Sequence, residues 1–259
     1  GDVYKRQSNN NISEINERAL SYLKHLAILD LSFNNLTKLP SPPQQAQVDI
    51  RGNAKISCNN VSAAIQRSVD FLYKDESVCE VSTIYNWFNS TASVTIRNLE
   101  NMKQLDEDCP KDCKCNGDGM VYSKINDGGE TRLEFVAKVD CSNLGLTSLP
   151  DKLPENTLSL NISNNSISSL SAIVRNSCYQ NIRSLFADDN LITSIVELEG
   201  SKFLENFTKL SLKNNKINLI PFYFLSNLEK NLNGKLVYLG GNRIHCDCQT
   251  VKTQRVRLK

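Results

Sequence analysis

The stretch FTKLSLKNNKINLIP, from Phe207 to Pro221, decides the fold of this chain. In its first half, two leucines alternate with Ser211, which is the period of two of a short β-strand. In its second half, the chain turns at two asparagines and returns two isoleucines to the side of the leucines. The apolar residues that share this side are Phe207, Leu210, Leu212, Ile217 and Ile220. The stretch therefore predicts one coil that buries a single apolar side.

Asn215 occupies the turn of this coil, where backbone N–H and C=O groups point inward. An amide side chain both donates and accepts, so it can satisfy buried backbone groups of neighbouring coils. We therefore expect Asn215 to lie inside the turn and Asn214 to lie outside it. The spacing of leucines and asparagine, L-x-x-L-x-L-x-x-N-x-L, is the pattern of a leucine-rich repeat.

The same frame occurs five more times. Its asparagines in these copies are Asn34, Asn53, Asn165, Asn190 and Asn242. Asn165, Asn190 and Asn215 are 25 residues apart, which is within the period of such repeats. Asn10 indicates a further repeat upstream. We therefore predict an α/β solenoid, a leucine-rich repeat horseshoe with short parallel strands on its concave face.

Two cysteine-rich segments lie between the repeats. The first holds Cys58 and Cys79 around a helical pattern that places Ile65, Val69 and Leu72 on one face. The second begins at Cys109 with C-P-K-D-C-K-C and continues to V-D-C, which ends at Cys141. Its spacer predicts a hairpin that pairs residues 120–122 with residues 133–139 and turns at residues 127–129.

The second segment closely resembles the N-terminal cap of extracellular leucine-rich repeat proteins. The ending G-N-R-I-H-C-D-C resembles the start of a C-terminal cap, and the segment of Cys58 and Cys79 resembles one in part, since such caps normally carry four cysteines. The order of repeats, cap, cap and repeats is similar to Toll-type receptor ectodomains and Slit-like secreted proteins. The runs A-D-D-N-L-I-T-S-I-V-E-L-E-G, P-F-Y-F-L-S-N and V-Y-L-G-G-N resemble an insect family of this type.

This resemblance implies an extracellular developmental protein associated with the ecdysone response, and no biochemical activity. It also implies the disulfides Cys109–Cys115 and Cys113–Cys141, with Cys58–Cys79 as a third. The rival interpretation of the cysteines is a zinc site, built from the C-x-x-x-C-x-C motif or from His245, Cys246 and Cys248. Cys178 has no partner in these pairings. It is either a small buried hydrophobic residue or part of an intermolecular or unusual disulfide.

The motifs divide the chain into six predicted segments. Residues 1–7 contain D-V-Y-K-R-Q, which matches the translation of a common sequencing-library adapter, so we expect them to be a scar. The remaining segments are the end of a first repeat array (8–55), a C-terminal-type cap and connector (56–108), an N-terminal-type cap (109–150), a second repeat array (151–244) and the start of a truncated C-terminal cap (245–259).

Charge, apolar runs and catalytic motifs limit the classes of function that the sequence predicts. The formal charge of +2 over 259 residues predicts neither a nucleic-acid partner nor a membrane-surface partner. No apolar run approaches the roughly 18 residues of a membrane-spanning helix. The chain has two histidines and none of the G-x-S-x-G, H-E-x-x-H or glycine-rich phosphate motifs. We therefore expect no catalysis, no cofactor and no metal.

The repeat register predicts which residues a partner would meet. The residues between the two core positions of each strand are Asn161, Phe186, Ser211 and Tyr238, and two positions further lie Ser163, Asp188, Lys213 and Gly240. Phe186 and Tyr238 are two strands apart, about 10 Å at a strand spacing near 4.8 Å. Exposed aromatic residues beside charges are typical of a protein-binding patch, here Phe186, Tyr238, Asp188, Asp189, Lys213 and Ser211. The alternative is an ordinary surface on which Asp188 and Lys213 form an ion pair.

Seven N-x-[ST] sequons occur, and Asn60, Asn89 and Asn206 are the candidates for glycosylation. The sequence thus predicts an extracellular leucine-rich repeat protein that binds a protein partner. The alternatives are a fragment of a Toll-like receptor ectodomain, and a structural or adhesive extracellular protein without a discrete ligand. A cytosolic, reduced, metal-binding repeat protein is the remaining class.

Overall fold

The computed structural model describes residues 3–43, 45–81, 93–124, 131–230 and 234–245. The chain forms two compact units, Gly1–Lys103 and Gln104–Lys259. Each unit contains a sheet whose neighbouring strands follow the order of the sequence, and the repeat strands within it are parallel, as the repeats predict. The predicted hairpin turn at residues 127–129, Asn89, Cys246 and Cys248 lie outside the described residues.

The first unit contains a four-stranded sheet of short parallel strands. The strands are β1 (Tyr4–Arg6), β2 (Ile28–Asp30), β3 (Gln47–Asp49) and β4 (Asp70–Phe71). β1 falls within the segment expected to be a scar, and its Lys5 pairs with the fully buried Leu29 of β2. The core of this unit is aliphatic and continues from Leu20 through Leu36 to Val61.

The segment predicted to be a cap and connector begins after β3 and surrounds β4 in the sequence. It contains helix α1 (Cys58–Gln66), the antiparallel pair β5 (Val78–Glu80) and β6 (Ser93–Thr95), and helix α2 (Ile96–Asp108). A disulfide between Cys58 and Cys79 joins α1 to β5. The buried residues Leu99, Met102 and Leu105 follow the helical spacing of α2.

The predicted helical face of Ile65, Val69 and Leu72 is wrong beyond Ile65. α1 ends at Gln66 because Ser68 adopts a left-handed backbone with φ of 62°. The N–H of Val69 then bonds to the carbonyl oxygen of Ala64 at 3.1 Å, which is the 6→1 bond of a Schellman cap. The chain is thereby redirected into β4, so Val69 and Leu72 lie outside the helix.

The second unit contains a six-stranded sheet. Its strands are β7 (Lys114–Lys124), β8 (Thr131–Asp140), β9 (Thr157–Asn161), β10 (Ser184–Phe186), β11 (Lys209–Ser211) and β12 (Leu236–Tyr238). β7 and β8 form the predicted antiparallel hairpin, which pairs Tyr122 with Leu133, and the remaining strands are parallel. The return segments contain α3 (Ala172–Arg175), α4 (Lys202–Asn206), α5 (Phe222–Lys230) and single 3₁₀ turns.

The buried side of this sheet is made by the residues that the repeat pattern selects. Leu160, Leu185, Leu210 and Val237 occupy equivalent positions on successive parallel strands and are at most 9% exposed. Phe203, Phe207 and Phe224 close the core on the opposite side, with Phe207 stacked between the other two at centroid distances of 5.5 and 6.5 Å. Burying such side chains supplies most of the folding free energy of a solenoid coil, about 1.5–3 kcal/mol each.

The asparagine at the turn of each coil is confirmed as the link between coils. Asn215 is 6% exposed, and its Nδ2 donates to the carbonyl oxygen of Ala187 at 2.9 Å while its Oδ1 accepts the N–H of Ile192 at 3.0 Å. Its neighbour Asn214 is exposed, as expected. Equivalent bonds to the preceding coil are made by Asn34, Asn53, Asn165, Asn190 and Asn242.

The residue before each of these asparagines has a left-handed backbone. The set comprises Phe33, Gly52, Asn164, Asp189, Asn214 and Gly241, with φ between 53° and 78°. Glycine, asparagine and aspartate tolerate this conformation better than other residues. At Gly241 space is also limiting, because a Cβ there would lie 2.0 Å from Oδ1 of Asn214. The turns of these coils therefore share one backbone conformation.

Candidate functional site

Disulfides close the start of the second unit. Cys109 is bonded to Cys115, and Cys113 to Cys141, which are the pairs that the resemblance implies. Cys141 is fully buried and joins the aliphatic core of the repeats. With Cys58–Cys79, the described residues contain three disulfides, and the sulfurs of these bonds are not zinc-binding thiolates. Within the described ranges no group of His, Cys, Asp or Glu could hold a metal ion.

Cys178 lies in a 3₁₀ turn, Ser177–Tyr179, on the return side of the repeats. It is the free cysteine of the described residues, and it packs half-buried against the core. Burial raises the pKa of its thiol above the usual value. A protonated, partly buried thiol is a poor nucleophile, so the packing favours the structural interpretation of this residue.

The open face of the second sheet is the face that turns away from the core. Strand pairing aligns one row of residues across it: Asp140, Asn161, Phe186, Ser211 and Tyr238. Phe186 and Tyr238 therefore flank Ser211 from the two neighbouring strands. Both rings are half-buried, so each presents part of its surface to solvent.

Two lysines of this face lie against these rings. The ammonium of Lys209 is 4.8 Å from the centroid of Phe186 and 5.8 Å from that of Tyr238. The ammonium of Lys213 is 5.0 Å from the centroid of Tyr238. Cations at these distances are attracted by the negative face of an aromatic ring. The side chains of the four residues therefore form one surface, which we call the lysine–aromatic patch (Phe186, Lys209, Lys213 and Tyr238).

The structure corrects the predicted role of Ser211. Ser211 is only 3% exposed, and its hydroxyl donates to Oδ1 of Asp188 at 2.6 Å. A partner molecule could not reach this side chain without breaking that bond. Ser211 lies between two aromatic rings, and the carboxylate of Asp188, which follows β10, covers its small side chain.

The two aspartates are used within the protein as well. Oδ1 of Asp188 also accepts the backbone N–H of Lys213 at 2.8 Å, so its contact with Lys213 is a backbone hydrogen bond and not the ion pair that the sequence allows. Oδ1 of Asp189 accepts from Nδ2 of Asn214 at 2.9 Å. These bonds tie β10 to β11 along the edge of the open face.

The sequence pattern did not identify Lys209 as an open-face residue. Only the positions of Ser211 and Lys213 were assigned to the open face, and the position two residues before Ser211 was not considered. Its signal was present, because residues two apart on a strand share a face. Leu236, which pairs with Lys209, was missed for the same reason and is 50% exposed. The open face therefore extends one row further than predicted.

Two glycosylation candidates can be placed. Asn206 is exposed and ends α4, and Asn60 is half-buried within α1. Asn206 therefore remains the better candidate of the two.

Comparison with known proteins identifies relatives of this chain. The chain is 40% identical to Protein halfway of Drosophila melanogaster over 97% of its own length, and 27% identical to Protein singed wings 2 of the same species over 92%. These proteins are homologues of this chain. The resemblance to an insect family is thereby confirmed. The chain spans 42% of the length of halfway and 48% of that of singed wings 2.

Among solved structures, the chain resembles a chain of the Toll–Spatzle complex of Drosophila, with 22% identity and a TM-score of 0.44. The alignment covers 95% of this chain and 32% of that one. No protein-family profile matches the chain. None of the helices in the described residues has the length and apolar character needed to cross a membrane.

Proposed function

We propose that this chain is part of an extracellular leucine-rich repeat protein that binds a protein partner through the open face of its second sheet. The observation that carries the proposal is the alignment of Phe186 and Tyr238 on either side of Ser211. Aromatic side chains that are central, partly exposed and held by a rigid sheet are the residues that most often dominate a protein interface. The open face would be the concave face of the solenoid horseshoe.

The extracellular location is supported by the three disulfides. Such bonds form and persist in oxidising compartments and are rare in the cytosol. They also close cap segments beside open cores, where a solenoid needs protection. A role in a process associated with the ecdysone response is part of the proposal, and its support is the resemblance to this insect family.

The proposal is tested by binding of the purified chain to the surface of cultured insect cells. Phe186→Ala combined with Tyr238→Ala should weaken binding by about 2 kcal/mol or more, roughly a thirtyfold loss. Because both rings lie on the open face, the midpoint of thermal unfolding should change little. Lys202→Ala, at the start of α4 on the return side, is the control and should bind as the wild type does.

Unchanged binding of the double variant would remove the open face as the contact surface. Binding that is lost only when the disulfides are reduced would instead favour a contact on the capping segments. A chain that binds no cell surface at all would support the structural alternative, an extracellular component without a discrete ligand.

A further inference from the structure

Three lysines of the second unit lie on aromatic rings, and they differ in what their ammonium groups bind. Lys235 lies 4.6 Å from the centroid of Phe207, and it donates to the carbonyl oxygen of Leu204 at 2.9 Å and to Oδ1 of Asn227 at 2.7 Å. Its donors are used within the fold. In the part of the chain that the structure describes, the ammonium groups of Lys209 and Lys213 make neither a hydrogen bond nor an ion pair.

The rings hold these two ammonium groups in place without neutralising them. A cation–π contact restrains the position of an ammonium group, but all three N–H donors remain available to a carboxylate. Lys213 is exposed and Lys209 is half-buried, so both are accessible from the open face. Long lysine side chains normally lose rotamer freedom on binding a partner. Here the rings have already restricted that freedom.

Within the described residues, no carboxylate forms an ion pair with Lys209 or Lys213. The carboxylates of Asp188 and Asp189 are directed toward Ser211, the backbone of Lys213 and Asn214. Lys138, on β8 of the same face, is paired with Asp118. The ammonium of Lys213 lies over Tyr238 of β12, and that of Lys209 lies between Phe186 of β10 and Tyr238. The exposed Leu236 of β12 adds apolar surface beside them. This part of the open face therefore presents two ammonium groups, neither of them in an ion pair, next to apolar and aromatic surface.

We propose that the lysine–aromatic patch selects an acidic segment of the protein partner, one in which carboxylates alternate with apolar side chains. Two carboxylates would meet Lys209 and Lys213, and an apolar side chain would contact the rings of Phe186 and Tyr238. Charge complementarity of this kind raises the association rate and rejects basic partners. This inference rests on the proposed function and adds to it the chemistry of the partner.

The experiment uses the 259-residue chain and two fluorescent synthetic peptides. One peptide alternates glutamate with leucine, and the other replaces every glutamate with glutamine. Fluorescence anisotropy should show tighter binding of the glutamate peptide, with an affinity that falls as salt is raised, because exposed charges are screened. Lys209→Gln with Lys213→Gln should weaken binding of the glutamate peptide roughly five- to tenfold and leave the glutamine peptide unaffected.

The matched control is Lys202→Gln with Lys216→Gln, which removes the same charge from exposed residues outside the open face. This variant should keep the affinity of the wild type. Equal affinity for the two peptides, absence of binding, or an unchanged preference in the Lys209/Lys213 variant would each overturn the acidic specificity. If the Phe186/Tyr238 variant nevertheless loses cell-surface binding, the proposed function stands and only the chemistry assigned to the partner is wrong.

Discussion

Asn190 donates a hydrogen bond from its Nδ2 to the carbonyl oxygen of Ile162, one coil earlier, across 2.9 Å. Its Oδ1 accepts the N–H of Ile167 at 3.0 Å, so a single amide side chain satisfies two buried backbone groups of the neighbouring coil. The side chain is 4% exposed, and water therefore has little access to it. The same relationship recurs at each coil and fixes the spacing of the repeats.

Replacing Asn190 with leucine should lower the free energy of unfolding by about 1–3 kcal/mol, because it leaves the backbone groups of Ile162 and Ile167 without partners. Urea unfolding followed by circular dichroism measures the loss. Thr193→Leu is the control, since Thr193 is exposed in the same coil. Equal losses in the two variants would show that the bulk of leucine, and not the missing amide, is responsible.

Gly241→Ala should destabilise the last repeat. The backbone at Gly241 has a φ of 78°, and an added Cβ would lie 2.0 Å from Oδ1 of Asn214. We expect a loss of about 1–3 kcal/mol in a thermal unfolding experiment. The neighbouring Gly240→Ala provides the comparison, because no heavy atom lies within 4 Å of its Cβ position. A Gly240 variant as unstable as the Gly241 variant would contradict this explanation.

Removing the disulfide between Cys113 and Cys141 with a double serine variant should cost about 2–5 kcal/mol of stability. The bond joins residues 28 apart, and Cys141 belongs to the core of the first coil. Cys178→Ala, at the free cysteine, should cost much less. Thermal unfolding under non-reducing conditions distinguishes the two, and an unchanged midpoint for the double variant would show that the bond does not stabilise this unit.

Alkaline pH should weaken the second unit through Tyr223. Its hydroxyl donates to the carbonyl oxygens of Ile195 and Val196, at 2.9 and 3.0 Å. Burial, and secondarily the charge of Glu199, raises the pKa of Tyr223 to about 12. The pKa in the unfolded chain is about 10, so the unfolded state releases this proton first. The stabilising contribution is complete below pH of about 10 and is lost as the pH rises to about 12.

The Tyr223→Phe variant checks this expectation. It removes the ionisable hydroxyl, so its free energy of unfolding should fall less between pH of about 10 and 12 than that of the wild type. Tyr22→Phe is a suitable control, because Tyr22 is 84% exposed. Parallel curves for wild type and Tyr223→Phe would show that the hydroxyl of Tyr223 does not contribute to the alkaline loss.

The parallel strands, the buried side of each strand and the asparagine that links one coil to the next could all be predicted from the repeat pattern. These features repeat at a short period, and each depends on residues within a single coil, such as Leu210, Leu212 and Asn215. Period and local spacing are visible in a linear sequence, which is why these predictions are confirmed.

Which residues of the open face are available to a partner depends on contacts between neighbouring coils. Ser211 has the right register, but Asp188 of the neighbouring strand covers it. Lys209 gains its position from the rings of Phe186 and Tyr238, which come from strands on both sides. The end of α1 at Gln66 likewise depends on a backbone reversal at Ser68. Contacts between side chains some 25 residues apart depend on rotamers and neighbouring coils, and a period in the sequence contains no information about them.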